Sequence, residues 1–518
     1  MSTSSRTAMT KLNTKFSIVN RVITLVCNFI CRSVFIKFLG GEYLGAGGMF
    51  GNVFSVLSLF ELGFGEAASQ AMYKPLADGN ALQVKKIVKY YTKVYRYISL
   101  ITLTLSFAVM PYLDCFFPDI TKISKYRSVY ILFIIHQILS FRFAPKRALI
   151  MCDQRMYIIM LIRTISCVCI TFTQIICLIY TRSYLGFIFL RILFLAADGF
   201  ATEIYANKKY DLKALSNISE LQEKTKSLIK ANTLSLAVHR IGGVINNSTD
   251  SILLSSYLGL SQMGIYSNYS LIINSLGSFV CLAVNAASAS VGNLGAAENA
   301  EKSVSILKKM CFANFFLLTN CASLLICLIN PFILLWLGKD MCFSLPESAV
   351  IIACFYMSYI RDPVQIFLNT YGVFKSTKYL YLTRGLANLV ISFCLVRRFG
   401  VVGVFGGTLI STVACVFFTE PYMLYKNGFG IKYTGFLKKY VGYVIASVFI
   451  CTLSYIFTTN IPADSVLSLI LKGCTVAVFT NILLLVLYGK TKELHELLIT
   501  FKLIKKRNAD NYDMHPQS

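Results

Sequence analysis

The sequence predicts an all-α polytopic membrane protein of about fourteen transmembrane helices. They form two six-helix lobes related by a parallel pseudo-two-fold axis, followed by two extra C-terminal helices. Three observations carry that prediction: an apolar composition, a one-sided distribution of basic residues, and an internal repeat. Of the 518 residues, 56% are hydrophobic and only 14% are charged, and the mean hydropathy is +0.63. A water-soluble chain of this length could not hide so much apolar surface. Stretches such as 98–113, 168–180 and 465–488 are nearly charge-free and bounded by charged residues, as segments crossing a bilayer require. Hydrocarbon offers backbone amides no partner, so the choice is between helices and a closed barrel. Barrel strands alternate polar and apolar residues over about ten positions, whereas these runs are apolar on all sides for roughly twenty.

Taken in order, the spans fall near 17–37, 46–72, 96–113, 128–150, 157–180, 184–206, 233–257, 264–292, 310–336, 348–372, 379–396, 401–425, 440–458 and 465–488. The first carries Arg21 and Arg32 and has no small-residue cleavage site before Gly40, so it is expected to stay attached as a helix. With both termini in the cytoplasm, 33 Lys and Arg lie inside, 8 outside and 9 within spans. That is the positive-inside rule, and it predicts a multi-pass membrane protein in this orientation. The net charge of +26 then belongs to basic loops such as 85–96 and 208–230 facing anionic membrane lipids, and no nucleic-acid partner is called for.

Seventeen cysteines lie mostly in apolar helices with no CxxC pair, and the four histidines are scattered, so neither a metal site nor a cofactor is expected.

Shifting the chain along itself by 219 residues aligns 13–81 with 232–300, with 16 of the 69 positions identical. Random pairing gives roughly a third of that. Leu39-Gly40 falls on Leu258-Gly259, Gly45 on Gly264, Arg21 on Arg240, Asn28 on Asn247 and, farther along, Arg142 on Arg361. Six spans separate the copies, so both cross the membrane in the same direction. The expected organisation is an N-terminal lobe over 1–206, a cytoplasmic linker over 207–232, a C-terminal lobe over 233–425, two additional helices over 426–488 and a cytoplasmic tail over 489–518.

Helical spacing places the polar residues of the first span, Ser17, Arg21, Thr24, Asn28 and Arg32, on one stripe. The seventh span does the same with Arg240, Gly243, Asn247 and Asp250. An Arg at the bilayer centre costs at least about 2.5 kcal/mol, so such stripes face a bundle interior or a watery cavity. Two roles compete for these arginines. They could pin helices together through the acids that also lie in the spans, Glu61, Glu66, Asp198, Glu203, Asp250, Asp362 and Glu420. Alternatively they could hold an anionic cargo, since a guanidinium fork donates two parallel hydrogen bonds to a phosphate.

The segment FLGGEYLGAGGMFGNVFSVLSLFELGFGEAASQAMYKPLADGN, from Phe38 to Asn80, resembles bacterial polysaccharide exporters of the O-antigen flippase type. Those belong to the multidrug/oligosaccharidyl-lipid/polysaccharide (MOP) flippase superfamily, which also contains lipid II flippases and MATE-type multidrug exporters. Similar resemblance lies in NNSTDSILLSSYLGLSQMGIYSNY (Asn246 to Tyr269), in RDPVQIFLNTYGVFKSTKY (Arg361 to Tyr379), and in the GVFGGTLIST and EPYMLYK runs. The resemblance implies a non-enzymatic flippase for an undecaprenyl-pyrophosphate-linked oligosaccharide, an O-antigen, capsule or other surface polysaccharide unit. Cargo would move from the inner to the outer leaflet by alternating access, with polysaccharide polymerase machinery as a candidate partner. On this chain the cavity candidates are Arg21, Asn28, Arg32, Arg240, Asn247, Asp250, Arg142, Arg361 and Glu66. The last two helices resemble the additional pair of fourteen-helix members, where a groove for the lipid tail is one use and plain extension of the lobe another. A multidrug exporter of the same superfamily is the alternative; its cationic cargo calls for unpaired carboxylates, whereas the repeated stripe positions are Arg and Asn. A membrane glycosyltransferase or polymerase would need a catalytic constellation on a sizeable loop, and none appears.

Overall fold

The computed structural model describes residues 3–61, 63–212, 218–295, 300–431, 433–491 and 493–495. These are helical almost throughout, with no strand among them. In chain order the helices are α1 (Thr3–Leu39), α2 (Gly41–Leu57), α3 (Phe64–Ala77), α4 (Ala81–Val109), a short α5 (Leu113–Phe116), α6 (Tyr126–Cys152), α7 (Met156–Thr181), α8 (Tyr184–Tyr210) and α9 (Glu223–Leu253). They continue as α10 (Gly259–Gly295), α11 (Ala300–Leu337), α12 (Leu345–Tyr359), α13 (Asp362–Thr370), α14 (Phe374–Ser411), α15 (Thr419–Met423), α16 (Thr434–Thr458) and α17 (Val466–Tyr488).

Among the described residues, eleven continuous helical runs are long and apolar enough to cross a membrane. Two of them, Ile241–Asn285 and Tyr379–Phe429, each carry two of the expected spans, joined at Gly259 and at Gly400. The second expected span is divided between α2 and α3, which explains its absence from the eleven. Every expected span thus has a helical counterpart, the second interrupted between α2 and α3 and the tenth between α12 and α13, and the chain is an all-α, multi-pass membrane protein. Of the expected linker, 207–210 continue α8 and 223–232 already belong to α9, while 213–217 lie outside the described residues. The tail from 496 onward also lies outside them.

The chain divides into two compact units, Met1–Ser267 and Asn268–Ser518, with the boundary inside α10. The first unit has two apolar clusters at opposite ends of its bundle. One joins Phe50 and Phe54 of α2 with Leu113, just past the end of α4, with Tyr130 and Phe133 near the start of α6, and with Tyr184 at the start of α8. The other joins Met72, Ile87, Tyr91, Phe141, Leu149 and Ala206, where α3 ends, α4 begins and α6 ends. Both clusters draw on antiparallel neighbours, as an up-and-down bundle requires.

In the second unit the two additional helices dock on α11. Phe315 stacks on Tyr443 of α16 with centroids 4.6 Å apart and meets Tyr488 of α17 edge-on at 5.1 Å. Thr319 and Ser447 share a hydrogen bond of 2.7 Å, and Asn481 donates to Asn320 at 2.9 Å. Small hydroxyl and amide groups of this kind hold helices together where lipid leaves no hydrophobic drive between them. Lys472 of α17 is buried and curls toward the α16–α17 connection, where its ammonium donates to the Ile461 carbonyl at 3.2 Å.

Candidate functional site

α1 runs without Gly or Pro to Leu39, and Gly40 stops it with φ +85° and ψ 175°. Only glycine enters that region without strain. Gly259, its counterpart at an offset of 219, has φ +89° and ψ 169°. The sequence repeat thus reappears as a matched backbone break ahead of α2 and ahead of α10.

Each residue turns a helix by about 100°, which gives α1 three distinct flanks. Asn13, Phe16, Asn20, Thr24, Cys27 and Cys31 face α7. Asn13 bonds the Gln154 carbonyl and the Tyr157 amide at 2.8 Å each, Asn20 donates to Thr164 at 2.8 Å, and Cys31 reaches Gln174 at 3.7 Å. A second flank, Val19, Val26 and Ile30, is apolar and exposed, as a lipid-facing surface should be. The third flank carries Ser17, Arg21, Asn28 and Arg32. Thr24, expected on this stripe, lies at its edge, close to Cys167 of α7.

The polar flank is anchored at one end. Arg32 Nη1 donates to the Ser267 carbonyl at 2.6 Å and lies 3.1 Å from its hydroxyl, so this flank turns toward the start of α10. Arg21 lies eleven residues earlier, about 16 Å along the axis. Both Arg21 and Asn28 are exposed and have no hydrogen-bond or ion-pair partner among the described residues.

The other expected site residues fall elsewhere. Arg240 and Asn247 lie on α9 with their side chains outside the described residues, while Asp250 on the same helix is buried. Glu66 is exposed in the first turn of α3. Arg142 stands 3.4 Å from Glu203 of α8 and over the Phe143 and Phe200 rings, 5.8 Å from each centroid. Lys146 also pairs with Glu203, and Arg147 lies 3.1 Å from Asp198. Arg361 is committed more deeply. Pro363, without an amide hydrogen, starts α13 and breaks it from α12, and Arg361 sits in that break, 2% exposed. Its Nε and Nη2 each donate to Glu420 at 2.9 Å. Gln365 and Tyr381 donate to the same carboxylate at 3.3 and 2.7 Å. The Arg361 fork is thus filled by protein.

Two features were not read as functional in the sequence. The first is a backbone crossing between the starts of α2 and α10. A Cβ at Gly45 would lie 1.9 Å from the Leu260 carbonyl oxygen, and one at Gly264 would lie 2.2 Å from that of Gly41. Gly41 and Leu260 are themselves counterparts at offset 219, so the contact is self-complementary. The second is a polar clasp beside it. Asp119 accepts the Leu260 amide at 3.3 Å and meets Lys122 at 2.9 Å, and Lys122 reaches Glu42 at 3.8 Å. The Lys122 ammonium holds the Asp119 carboxyl below its usual range against the opposing effect of burial, and the Leu260 amide adds to the lowering. The repeat had marked Gly45 and Gly264, but the loop residues carried no signal of their own.

Among the described residues no cluster of His, Cys, Asp or Glu could hold a metal, and all seventeen cysteines are free.

The fold defines an all-α, multi-pass membrane protein with a polar flank on its first helix. Its fold is similar to those of solved MOP-superfamily transporters. A solved structure described as lipid II flippase MurJ in an inward closed conformation matches at TM-score 0.66 and 14% identity, covering 92% of this chain and 99% of the other. An inward-facing MATE-family multidrug resistance transporter of the MOP superfamily matches at 0.60 and 14%, covering 78% and 94%. A MOP-superfamily transporter from Pyrococcus furiosus Vc1 (DSM3638), reported to have a binding pocket of reversed polarity, matches at 0.56 and 12%, covering 81% and 96%. No family model matches the sequence, and no curated protein matches it.

Proposed function

We propose that this chain flips an undecaprenyl-pyrophosphate-linked oligosaccharide, an O-antigen, capsule or related surface unit, from the inner to the outer leaflet of a bacterial cytoplasmic membrane. It works by alternating access, without catalysing a reaction, with both termini in the cytoplasm and polysaccharide polymerase machinery as a partner. The observation that carries this reading is the balance of charge. The intramembrane acids Asp198, Glu203 and Glu420 each have a cationic partner, whereas Arg21 on the polar flank of α1 has none among the described residues. A bare guanidinium on a wet flank suits a diphosphate, and it repels the cationic cargo of a multidrug exporter. Arg32, Arg240, Asn28 and Asn247 are assigned to the same headgroup, with Asp250 and Glu66 tuning it and Arg142 and Arg361 bracing the helices.

A second feature favours a lipid-linked cargo. The second unit has an apolar groove of about 600 Å³, lined by Ala349, Ala353 and Met357 of α12 and by Ile445, Val448 and Tyr455 of α16. Such a groove suits an isoprenoid chain and gives one of the two additional helices a task. The test is glycan export in cells with protein abundance measured alongside. Arg21→Ala should cripple export at normal abundance, Arg21→Lys should restore it in part, and Ala353→Trp should impair it by filling the groove. Full export from Arg21→Ala at normal abundance refutes the reading.

A further inference from the structure

We propose that the start of α4 and the segment entering α9 form a binding site for a phosphate-bearing anion, either a phospholipid headgroup or a free phosphate. A cavity of about 230 Å³ lies there, lined by Lys86, Lys89, Tyr90 and Lys93 of α4 and by Glu220 and Lys226. Spacings of three and four put the α4 residues on one helical face. Ile87, Val88 and Tyr91, one step round, are buried in the apolar cluster, so the basic face is set apart from the packing face.

The charges do not balance within the cavity. Among the described residues Glu220 is the one carboxylate lining it, and it is shared: Lys93 lies 3.3 Å from one oxygen and Lys226 2.9 Å from the other. Those two ammonium groups hold its carboxyl below the usual range, so at neutral pH it is ionised and its capacity is already used. Lys226 also meets Glu223 at 2.8 Å, and Lys89 is turned inward to the Ile218 carbonyl at 2.6 Å. Lys86 has neither a hydrogen bond nor an ion pair among the described residues. Four ammonium groups thus surround a space with one carboxylate. An anion of charge two or more relieves that repulsion, and a phosphate presents enough oxygens to accept from several rotatable ammonium donors at once. Tyr90 adds a hydroxyl at the same wall.

The basic loops that place this end of α4 in the cytoplasm also put the cavity at the level of the inner-leaflet headgroups, where basic pockets beside membrane helices bind anionic lipid. Only the lipid source depends on that orientation; the phosphate chemistry does not. An occupant would tie α4 to residues 218–226, the stretch that leads into α9.

The experiment uses the purified full chain in detergent and measures the rise in Tm against ligand concentration at fixed ionic strength. The ligands are short-chain phosphatidylglycerol, short-chain phosphatidylcholine, and inorganic phosphate with pyrophosphate. K86Q/K89Q removes two charges from the cavity. K208Q/K209Q removes the same charge from the end of α8, outside it, and the unliganded Tm of each shows whether it is folded. Phosphatidylglycerol should stabilise the wild type. The half-saturating concentration should rise about tenfold or more in K86Q/K89Q, and stay unchanged in K208Q/K209Q. A response to phosphatidylglycerol alone identifies a lipid headgroup, and one shared by phosphate or pyrophosphate identifies a soluble anion. Equal weakening in both double variants, equal stabilisation by phosphatidylcholine, or no response to any of them overturns the proposal.

Discussion

Replacing Gly45 with Ala tests the crossing of α2 and α10 directly. The added Cβ would lie 1.9 Å from the Leu260 carbonyl oxygen, 2.9 Å from its carbon and 3.0 Å from the Gly264 nitrogen. All three are backbone atoms, so no side-chain rotation relieves the overlap, and the two helix starts must part by about 1.5 Å to regain ordinary contact. Overpacking of this kind costs about 1–3 kcal/mol, and a backbone clash belongs at the upper end. Ala returns about 1 kcal/mol through its higher helix propensity. The net is about 2 kcal/mol against the closed crossing, or roughly 30-fold in the equilibrium between closed and parted forms. Ala46, fully buried beside the crossing, supplies the probe. The labelling rate of Ala46→Cys by a membrane-impermeant maleimide, measured against the same background without it, should rise toward that factor in Gly45→Ala. Gly51→Ala on the same helix is the control, because a Cβ there meets nothing within 4 Å. Labelling no faster in Gly45→Ala than in Gly51→Ala, with the same Tm, would show that the crossing does not hold the closed form.

The Arg361–Glu420 pair should behave as a buried brace: Arg361→Ala leaves a dry carboxylate unpaired and should cost about 3–5 kcal/mol, seen as a lower Tm and lower abundance. Arg361→Met with Glu420→Leu should recover most of that loss, and a double variant as unstable as the single one would contradict the assignment. Asp119, held below the usual carboxylate range, contributes its clasp on the Leu260 amide above its unfolded pKa and loses it as pH falls through the depressed folded value. Labelling at Ala46→Cys by a 2-pyridyl disulfide, which reacts with thiols in acid where a maleimide does not, should therefore rise as pH drops below about 4, and Asp119→Asn should abolish that rise. Arg32→Gln should leave the Ser267 carbonyl without its strongest donor and speed labelling of a cysteine at Ser267, whereas Arg32→Lys should do so less.

The sequence shows helices and their polar faces well, because both follow from local spacing. Spacing of three and four places Arg21, Asn28 and Arg32 together, and the structure keeps them on one flank of α1. Thr24 shows the limit of that resolution: it sits about 60° from Arg21 around the axis, and in a membrane the packing face is itself polar and small, so Asn20, Thr24 and Cys31 are used against α7. Arg21 and Arg361 look alike in the chain, each an arginine in a span with a repeat partner. What separates them is an acid 59 residues away, Glu420, which only the folded arrangement brings to Arg361. The clasp of Asp119 and Lys122 left no trace at all, being two charges in a short connection whose partners, Leu260 and Glu42, are set by tertiary contact.

The reciprocal contact of Gly45 with Leu260 and of Gly264 with Gly41 has the form of an isologous interface, the kind two identical subunits make across a dyad. In a homodimer any change in such a patch appears on both sides at once, so a helpful asymmetry is out of reach. Here the two halves of the patch are encoded separately. The bare steric seat has stayed alike in both, while its fastenings have become unlike: Lys122 reaches Glu42 beside one helix start, and Asp119 holds the amide of Leu260 at the other. Joining the copies in one polypeptide lets one side of the seam be fastened by charge and the other by a backbone hydrogen bond. Salt can then weaken the first while the second holds until acid protonates Asp119.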